Sequence, residues 1–202
     1  MKDRNHLANI GLIHQVDVIE NGLFDIPMLQ VLQTDGTLHP QAELPEISQQ
    51  DSMKILETMQ YIRVLDERMV AAQRQGRISF YLACTGEEAS TVASAAALKP
   101  QDMIMSQYRE QGALAYRGFS SKEFMDQMFS NQNESNKGRQ MPIHYGSKAL
   151  NFMTISSPLG TQIPQASGYA YGQKMAGLEA ITICYFGEGA ASEGDFHAGL
   201  NM

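Results

Sequence analysis

The chain has few of the residues that stabilise secreted or membrane-spanning proteins. It contains two cysteines, Cys84 and Cys184, and no tryptophan among its 202 residues. Two cysteines so far apart favour free thiols in a reducing compartment over a disulfide framework. No apolar run approaches the ~18 residues that a membrane-spanning helix needs, so we expect no membrane partner.

A basic surface is also lacking. The 15 lysines and arginines are outnumbered by 22 aspartates and glutamates, which gives a formal net charge of -7. An acidic balance argues against nucleic acid or an anionic membrane as the main partner. The first residues show neither a sustained apolar signal region nor the Arg- and Ser-rich pattern of an organelle transit peptide. We therefore expect a cytoplasmic protein.

The N-terminal residues 1–51 carry turn signals rather than helical periodicity, as in the segment 34–37. Such a segment predicts an extended arm that lies on another surface of this subunit or of a neighbouring one. A loose terminus is the alternative interpretation.

Residues 52–202 alternate between apolar patterns of helical and of strand type, which predicts a single α/β domain. The first helix begins at Ser52 and ends at Gly76, with Asp66, Glu67 and Arg68 on its exposed face. The remaining predicted elements are a strand over 77–82, a helix from Thr85 that Pro100 stops, a strand over 102–106, a helix over 121–129, a helix over 161–176 and a strand over 181–186. This order predicts a parallel, doubly wound sheet.

The end of the last predicted strand carries the clearest chemical signal. The apolar run 181–186 stops at Gly187, and Glu188, Gly189 and Ala190 follow. A carboxylate between two glycines at a strand end suits Mg²⁺ that bridges phosphate oxygens. The glycines permit unusual backbone angles and a close approach of main-chain amides to a phosphate. The alternative is a plain strand-to-helix turn, and the third glycine of a dinucleotide-binding fingerprint is missing.

Two further segments carry candidate side chains. Gln107, Tyr108 and Arg109 follow a predicted strand, where Arg109 could form a bidentate pair with a phosphate. An inter-subunit salt bridge of Arg109 is the alternative. His144 lies in a glycine-bounded loop and is a candidate catalytic or gating residue, or a histidine bonded to the main chain.

The turn 156–162 concentrates hydroxyls, carbonyls and an amide just before a predicted helix. Such an oxygen-rich turn could hold a monovalent cation or a polar heterocycle. Ordinary capping of the helix by Ser156 or Ser157 is the alternative.

Taken together, six ordered segments resemble the α subunits of the E1 component of 2-oxo acid dehydrogenase complexes, and the branched-chain subtype in particular. They are 73–82, 86–90, 107–114, 138–146, 155–168 and 184–201. The resemblance runs from about Gly22 to Met202 and implies the thiamine diphosphate-binding fold. The family's Gly-Asp-Gly signature stands here as Gly187-Glu188-Gly189, and its later asparagine pair is not within the sequence. The resemblance therefore implies the N-terminal half of such a subunit, truncated on its C-terminal side.

The resemblance also implies roles for single residues. Those expected to contact thiamine diphosphate are Gln107, Tyr108, Arg109, Ser157, Leu159, Gly187, Gly189 and Ala190. Those expected to hold metal ions are Glu188 for Mg²⁺, and Ser156, Pro158, Thr161 and Gln162 for K⁺. His144 remains the candidate catalytic residue.

The implied activity is the thiamine diphosphate-dependent oxidative decarboxylation of branched-chain 2-oxo acids, with acyl transfer to a lipoyl domain of E2. The implied assembly is an α2β2 heterotetramer with an E1 β subunit. A pyruvate or acetoin dehydrogenase α subunit is one alternative, and a catalytically silent module that only binds the β subunit is another. We expect the 202-residue chain alone to be inactive.

Overall fold

The computed structural model describes residues 11–15 and 27–202, and the chain forms two compact units, Met1–Ser48 and Gln49–Met202. The predicted arm over 1–51 therefore falls partly outside the described residues, at 1–10 and 16–26. Its division from the rest of the chain at residue 52 stays a prediction.

The first unit contains two very short strands, β1 (Leu12–Ile13) and β2 (Met28–Leu29), which pair in parallel. A tight turn follows, in which Gln33 N donates to Thr37 O at 2.8 Å. Gly36 sits in this turn with a φ of 84°, a left-handed conformation that glycine adopts without steric cost. The turn signal in this segment thus corresponds to a real reversal of the chain.

The second unit begins with the long helix α1 (Gln49–Arg74). Its buried apolar residues Ile62, Leu65, Met69 and Ala72 recur at helical spacing and face the core. Gly76, with a φ of 71°, follows the last turn and permits the left-handed conformation that commonly ends a helix. The predicted helix is confirmed, and it starts a few residues earlier than expected.

Asp66 is the exception on this helix, because it is buried at 3% exposure rather than solvated as predicted. Its carboxylate accepts hydrogen bonds from Tyr81 Oη at 2.6 Å, Cys84 N at 2.8 Å and Gln111 Nε2 at 3.1 Å. The prediction was wrong because these donors come from segments that are distant in sequence.

The predicted strand over 77–82 is also wrong, since these residues contain no strand. Ile78 and Tyr81 are buried in the core, but their segment pairs with no strand among the described residues. The apolar alternation here reflects the burial of single side chains in the core. The segment is also contacted by a side chain, since Gln111 Nε2 lies 3.5 Å from Leu82 O.

Three short helices follow: α2 (Glu88–Ala96), α3 (Gln111–Tyr116), which the sequence did not predict, and α4 (Ser121–Met128). α2 and α3 approach closely at Gly112, where a Cβ atom would lie 2.6 Å from Thr91 Oγ1. Ser120 caps α4 in a capping box with Glu123.

The parallel sheet of this unit is small. Strand β3 (Met103–Met105) pairs in parallel with β4 (Thr182–Cys184). On its other side, Ile104 bridges in parallel to Phe152, with Ile104 N donating to Asn151 O at 2.8 Å. The described residues thus have α/β character with parallel pairing. They form two sheets of two strands each, which are too small to establish the predicted doubly wound sheet.

Helix α5 (Gln162–Met175) packs beside β4, and a 3₁₀ turn (Ala190–Ser192) leads into α6 (Gly194–Leu200). The two helices touch where Ser167 Oγ donates to Gly199 O at 2.7 Å. Both cysteines are free, as predicted. Across the part of the chain that the structure describes, no helix is long and apolar enough to cross a membrane.

Candidate functional site

The parallel pairing of β3 and β4 brings two predicted site segments to one edge of the sheet. Tyr185 N donates to Met105 O at 2.8 Å and extends the pairing by one residue beyond β4. The chain after each strand then borders a pocket of about 270 Å³. Its lining residues are Glu87, Gln107, Tyr108, Arg109, Glu110, Phe186 and Gly187.

One polar atom of a lining residue, Gln107 Nε2, is buried without a partner in the described part of the chain, as is Oγ of the preceding Ser106. The other end of the Gln107 amide is engaged, since its Oε1 lies 3.4 Å from Gln162 Nε2. Gln162 also donates to Tyr185 O at 3.0 Å. A buried donor without a partner costs free energy, so the free amide of Gln107 marks a position where a ligand acceptor would be favourable.

Arg109 lies on the rim of the pocket with an exposed guanidinium. Its Nη1 is 3.7 Å from Glu87 Oε1, so the ion pair is formed within the chain. Glu110 Oε2 accepts the main-chain N–H groups of Gln107 at 2.9 Å and of Arg109 at 3.2 Å. Burial raises the pKa of the Glu110 carboxyl against the lowering effect of these bonds, and the nearby Glu87 charge raises it further.

The Gly187-Glu188-Gly189 turn is open to solvent. Glu188 is exposed, and no group of three or more His, Cys, Asp or Glu side chains within residues 11–15 and 27–202 could hold a metal ion. Neither glycine has a positive φ, so the expected unusual backbone angles are not found. A Cβ atom at either glycine would meet nothing within 4 Å, which leaves the approach to the strand ends free. Ala190 is buried at the start of the 3₁₀ turn.

The predicted cation turn lies next to this segment. Gly160 has a φ of 80°, and a Cβ atom added at this position would lie 3.5 Å from Glu193 Cβ and from Asp195 Cβ. Thr161 Oγ1 donates to Pro158 O at 3.1 Å, so two of the expected oxygen ligands are neighbours.

Gln162 departs from that arrangement, because its side-chain amide points to the strand ends. Thr161 occupies the N-cap of α5 without a side-chain cap bond, so capping of this helix by Ser156 or Ser157 is not found.

A second, larger cleft of about 580 Å³ opens beside this turn. It is lined by Met105, Gln140, Met153, Thr154, Ile155, Ser156, Ser157, Pro158, Gln165 and Tyr169. Three of the predicted site residues therefore share one cleft, whereas Leu159 is exposed and is not part of its lining.

His144 is buried at 2% exposure, and its ring contacts both the loop before it and Ser157 in the lining of this cleft. Its Nδ1 lies 3.0 Å from Pro142 O, and its Nε2 lies 2.8 Å from Ser157 Oγ. Because a carbonyl oxygen only accepts, Nδ1 is the donor to Pro142 O, and Nε2 shares a second hydrogen bond with the Ser157 hydroxyl. His144 is thus bonded to the main chain and to a predicted cofactor residue at once.

The conformation of this loop depends on Gln127, which the sequence did not reveal. Ile143, with a φ of 66°, donates its N–H to Gln127 Oε1 at 3.1 Å, and Gln127 Nε2 donates to Met141 O at 2.6 Å. Glu87 and Glu110 are the other site residues that were missed. The contacts of Gln127 and of Glu87 reach residues that are distant in sequence, which no local pattern shows.

Comparison with known proteins gives relatives that are named as alpha subunits of 2-oxoisovalerate dehydrogenase. The chain is 51% identical over 177 residues to 2-oxoisovalerate dehydrogenase subunit alpha 1, mitochondrial, of Arabidopsis thaliana, a match that covers 88% of the chain and 38% of the relative. It is 46% identical over 196 residues to the alpha subunit of Mus musculus, covering 96% and 44%. It is 48% identical over 201 residues to that of Dictyostelium discoideum, covering 100% and 45%. The chain therefore spans less than half the length of the curated relatives it matches.

The names of these relatives correct the predicted cellular compartment. All three are named as mitochondrial subunits, which contradicts the prediction of a cytoplasmic protein. The prediction relied on the pattern of the first residues, and that pattern says little about compartment in a chain that spans less than half of its relatives.

A family model described as Dehydrogenase E1 component matches residues 56–202. This family implies the thiamine diphosphate-binding fold and the use of that cofactor. The matched range contains both strands of the larger unit's sheet, both clefts and every predicted site residue. The chain belongs to the dehydrogenase E1 component family.

Proposed function

We propose that this chain is the part of a branched-chain 2-oxo acid dehydrogenase E1 α subunit that holds the diphosphate of thiamine diphosphate and its metal ion. The names of its relatives support the branched-chain substrate class and do not favour pyruvate, acetoin or a silent binding module. The observation that carries the proposal is the pairing of β3 with β4, which places Arg109 and Gly187 on one pocket. The proposed fold is the doubly wound sheet of this family.

The residues present fit a diphosphate group. Arg109 offers a guanidinium at the rim, and Gln107 offers a buried amide donor that lacks a partner among the described residues. The open space at Gly187 and Gly189 would let phosphate oxygens reach the main chain. Tyr108 lines the same pocket as Gly187, and Ala190 directly follows Gly189 in the chain. Glu188 would place its carboxylate oxygen on Mg²⁺ next to those phosphates.

The second cleft fits the heterocyclic part of the cofactor. Ser156, Ser157 and Pro158 line it, and Leu159 projects from the same turn. The proposed K⁺ ligands are oxygens of Ser156, Pro158, Thr161 and Gln162, of which Thr161 Oγ1 and Pro158 O are already 3.1 Å apart.

Bound thiamine diphosphate supplies the electron sink for decarboxylation of the 2-oxo acid. The residues of this chain would bind and orient it, and His144 would control the proton of the Ser157 hydroxyl through Nε2. The proposed partners are an E1 β subunit in an α2β2 assembly and the lipoyl domain of E2. Both follow from the family and from the names of the relatives.

The cofactor site is tested by calorimetric titration of the full chain with thiamine diphosphate in Mg²⁺-containing buffer. We expect binding, and we expect Arg109→Gln to weaken it about tenfold or more, because a charge-assisted bond to phosphate is lost. Arg74→Gln, at an exposed position in the last turn of α1, is the matched control. Absence of binding to the unmodified chain, or equal binding by Arg109→Gln, would contradict the proposal.

The substrate class needs a separate assay. Residues 1–202 would replace the matching part of a full-length relative, and the hybrid would be assembled with its β subunit. We expect faster turnover of 3-methyl-2-oxobutanoate than of pyruvate. The opposite order would favour the pyruvate dehydrogenase alternative.

A further inference from the structure

Glu87 occupies a position from which a side chain ordinarily caps a helix. It is the N-cap residue of α2, a position that favours Ser, Thr, Asp or Asn because their short side chains bond to the first turn. The Glu87 side chain makes no such cap bond. Its carboxylate instead lies 3.7 Å from the Arg109 guanidinium, and both residues line the smaller pocket.

The pairing is weak enough to exchange. The side chains of Arg109 and Glu87 are 46% and 45% exposed, and ion pairs of this kind add little stability because water screens them. A diphosphate oxygen would offer Arg109 more charge and a bidentate geometry.

The pocket also carries more negative than positive side chains. Glu87 and Glu110 both line it, against the single guanidinium of Arg109 among its lining residues. Glu110 keeps its place by accepting two main-chain N–H groups, and the Glu87 charge acts on it directly. An incoming anion therefore meets repulsion from carboxylates as well as attraction from Arg109.

We propose that Glu87 determines the specificity of this pocket by competing for Arg109, so that a metal-complexed diphosphate is accepted and the bare anion is disfavoured. This inference rests on the proposed function. A divalent cation lowers the net charge of the diphosphate and so reduces its repulsion by Glu87 and Glu110. The bare anion carries its whole charge into the same space.

The test uses inorganic pyrophosphate as the probe, titrated calorimetrically into the full chain with EDTA and, separately, with Mg²⁺. We expect Glu87→Gln to strengthen metal-free binding about tenfold at low ionic strength, since it removes both the competitor and a like charge. The gain with Mg²⁺ should be smaller, about twofold, and both gains should shrink as salt is added. Glu57→Gln, at an exposed position on α1, is the control and should leave both affinities unchanged.

A double-mutant comparison separates competition from a general effect on folding. In the Arg109→Gln background no guanidinium is left to be freed, so Glu87→Gln should raise the metal-free pyrophosphate affinity less than it does in the unmodified chain. Circular dichroism should show that each variant keeps its fold. Equal metal-free affinity of Glu87→Gln and the unmodified chain, or weaker binding by Glu87→Gln, would overturn the inference and leave the proposed function intact. Failure of every variant to bind pyrophosphate, with or without Mg²⁺, would overturn both.

Discussion

The buried carboxylate of Asp66 connects three parts of the larger unit, and its removal should destabilise the fold strongly. It joins helix α1 to the irregular segment at Tyr81 and Cys84 and to α3 at Gln111. Those segments lead directly to Glu87 and to Arg109, which both line the smaller pocket. The variant Asp66→Ala removes the shared acceptor and leaves three donors facing an empty space.

The size of the effect follows from these contacts. A buried donor without a partner costs about 1–3 kcal/mol, and Asp66→Ala removes the charged acceptor that three such donors share. We therefore expect Asp66→Ala to lower the free energy of unfolding by about 3–5 kcal/mol, a large share of the ~5–15 kcal/mol that stabilises a typical domain. Asp66→Asn keeps the shape but places an amide nitrogen against a donor, and it should cost about 1–3 kcal/mol.

The assay is urea unfolding of the full chain followed by circular dichroism. Glu67→Ala, the exposed neighbour on the same helix, is the control and should change stability by less than about 0.5 kcal/mol. In the Tyr81→Phe background, Asp66→Ala should cost less than in the unmodified chain, because one orphaned donor is already gone. If Asp66→Ala and Glu67→Ala had the same small effect, the assigned network would be wrong.

Two further predictions concern helix packing and thiol chemistry. Gly199→Ala should destabilise the chain by about 1–3 kcal/mol in the same unfolding assay, because its Cβ would lie 2.9 Å from Ile163 Cγ2, whereas Gly168→Ala, with nothing within 4 Å, should be neutral or stabilising. Burial, with a smaller effect of the Glu110 charge, raises the pKa of Cys184 to about 11, so iodoacetamide should alkylate it about 100-fold more slowly at pH 8 than an unperturbed thiol. Its rate should rise steadily up to the folded pKa and reach the ordinary value in urea. Rapid alkylation of folded Cys84→Ser protein at pH 8 would contradict this assignment.

Local sequence signals predicted the elements whose cause is local. The apolar spacing of α1 and the left-handed conformation at Gly76 depend on neighbours a few residues away, and both were found. The capping box at Ser120 is equally local. By contrast, the burial of Asp66 depends on donors 15, 18 and 45 residues away, which no helical pattern can show. The expected strand over 77–82 failed for a related reason, since a strand requires a partner that the sequence does not specify.

The candidate site divides in the same way. The positions of Arg109 and Gly187 at one sheet edge follow from two strands that run in parallel, which the alternation of elements already predicted. The orientation of Gln162 and the contact between His144 and Ser157 depend on packing between segments whose proximity the sequence does not show.

The side chain of Gln162 connects the surroundings of the two clefts. Gln162, at the start of α5, donates to Tyr185 O at the end of β4 and reaches Gln107 beside the smaller pocket. The turn that precedes Gln162 lines the larger cleft and holds Ser157 against His144. A ligand that moved Gln107 would therefore act on the start of α5 and, through that turn, on the Ser157 hydroxyl. Because these polar groups are partly or fully buried, an unsatisfied partner is costly, and the two halves of the site should order together rather than one after the other.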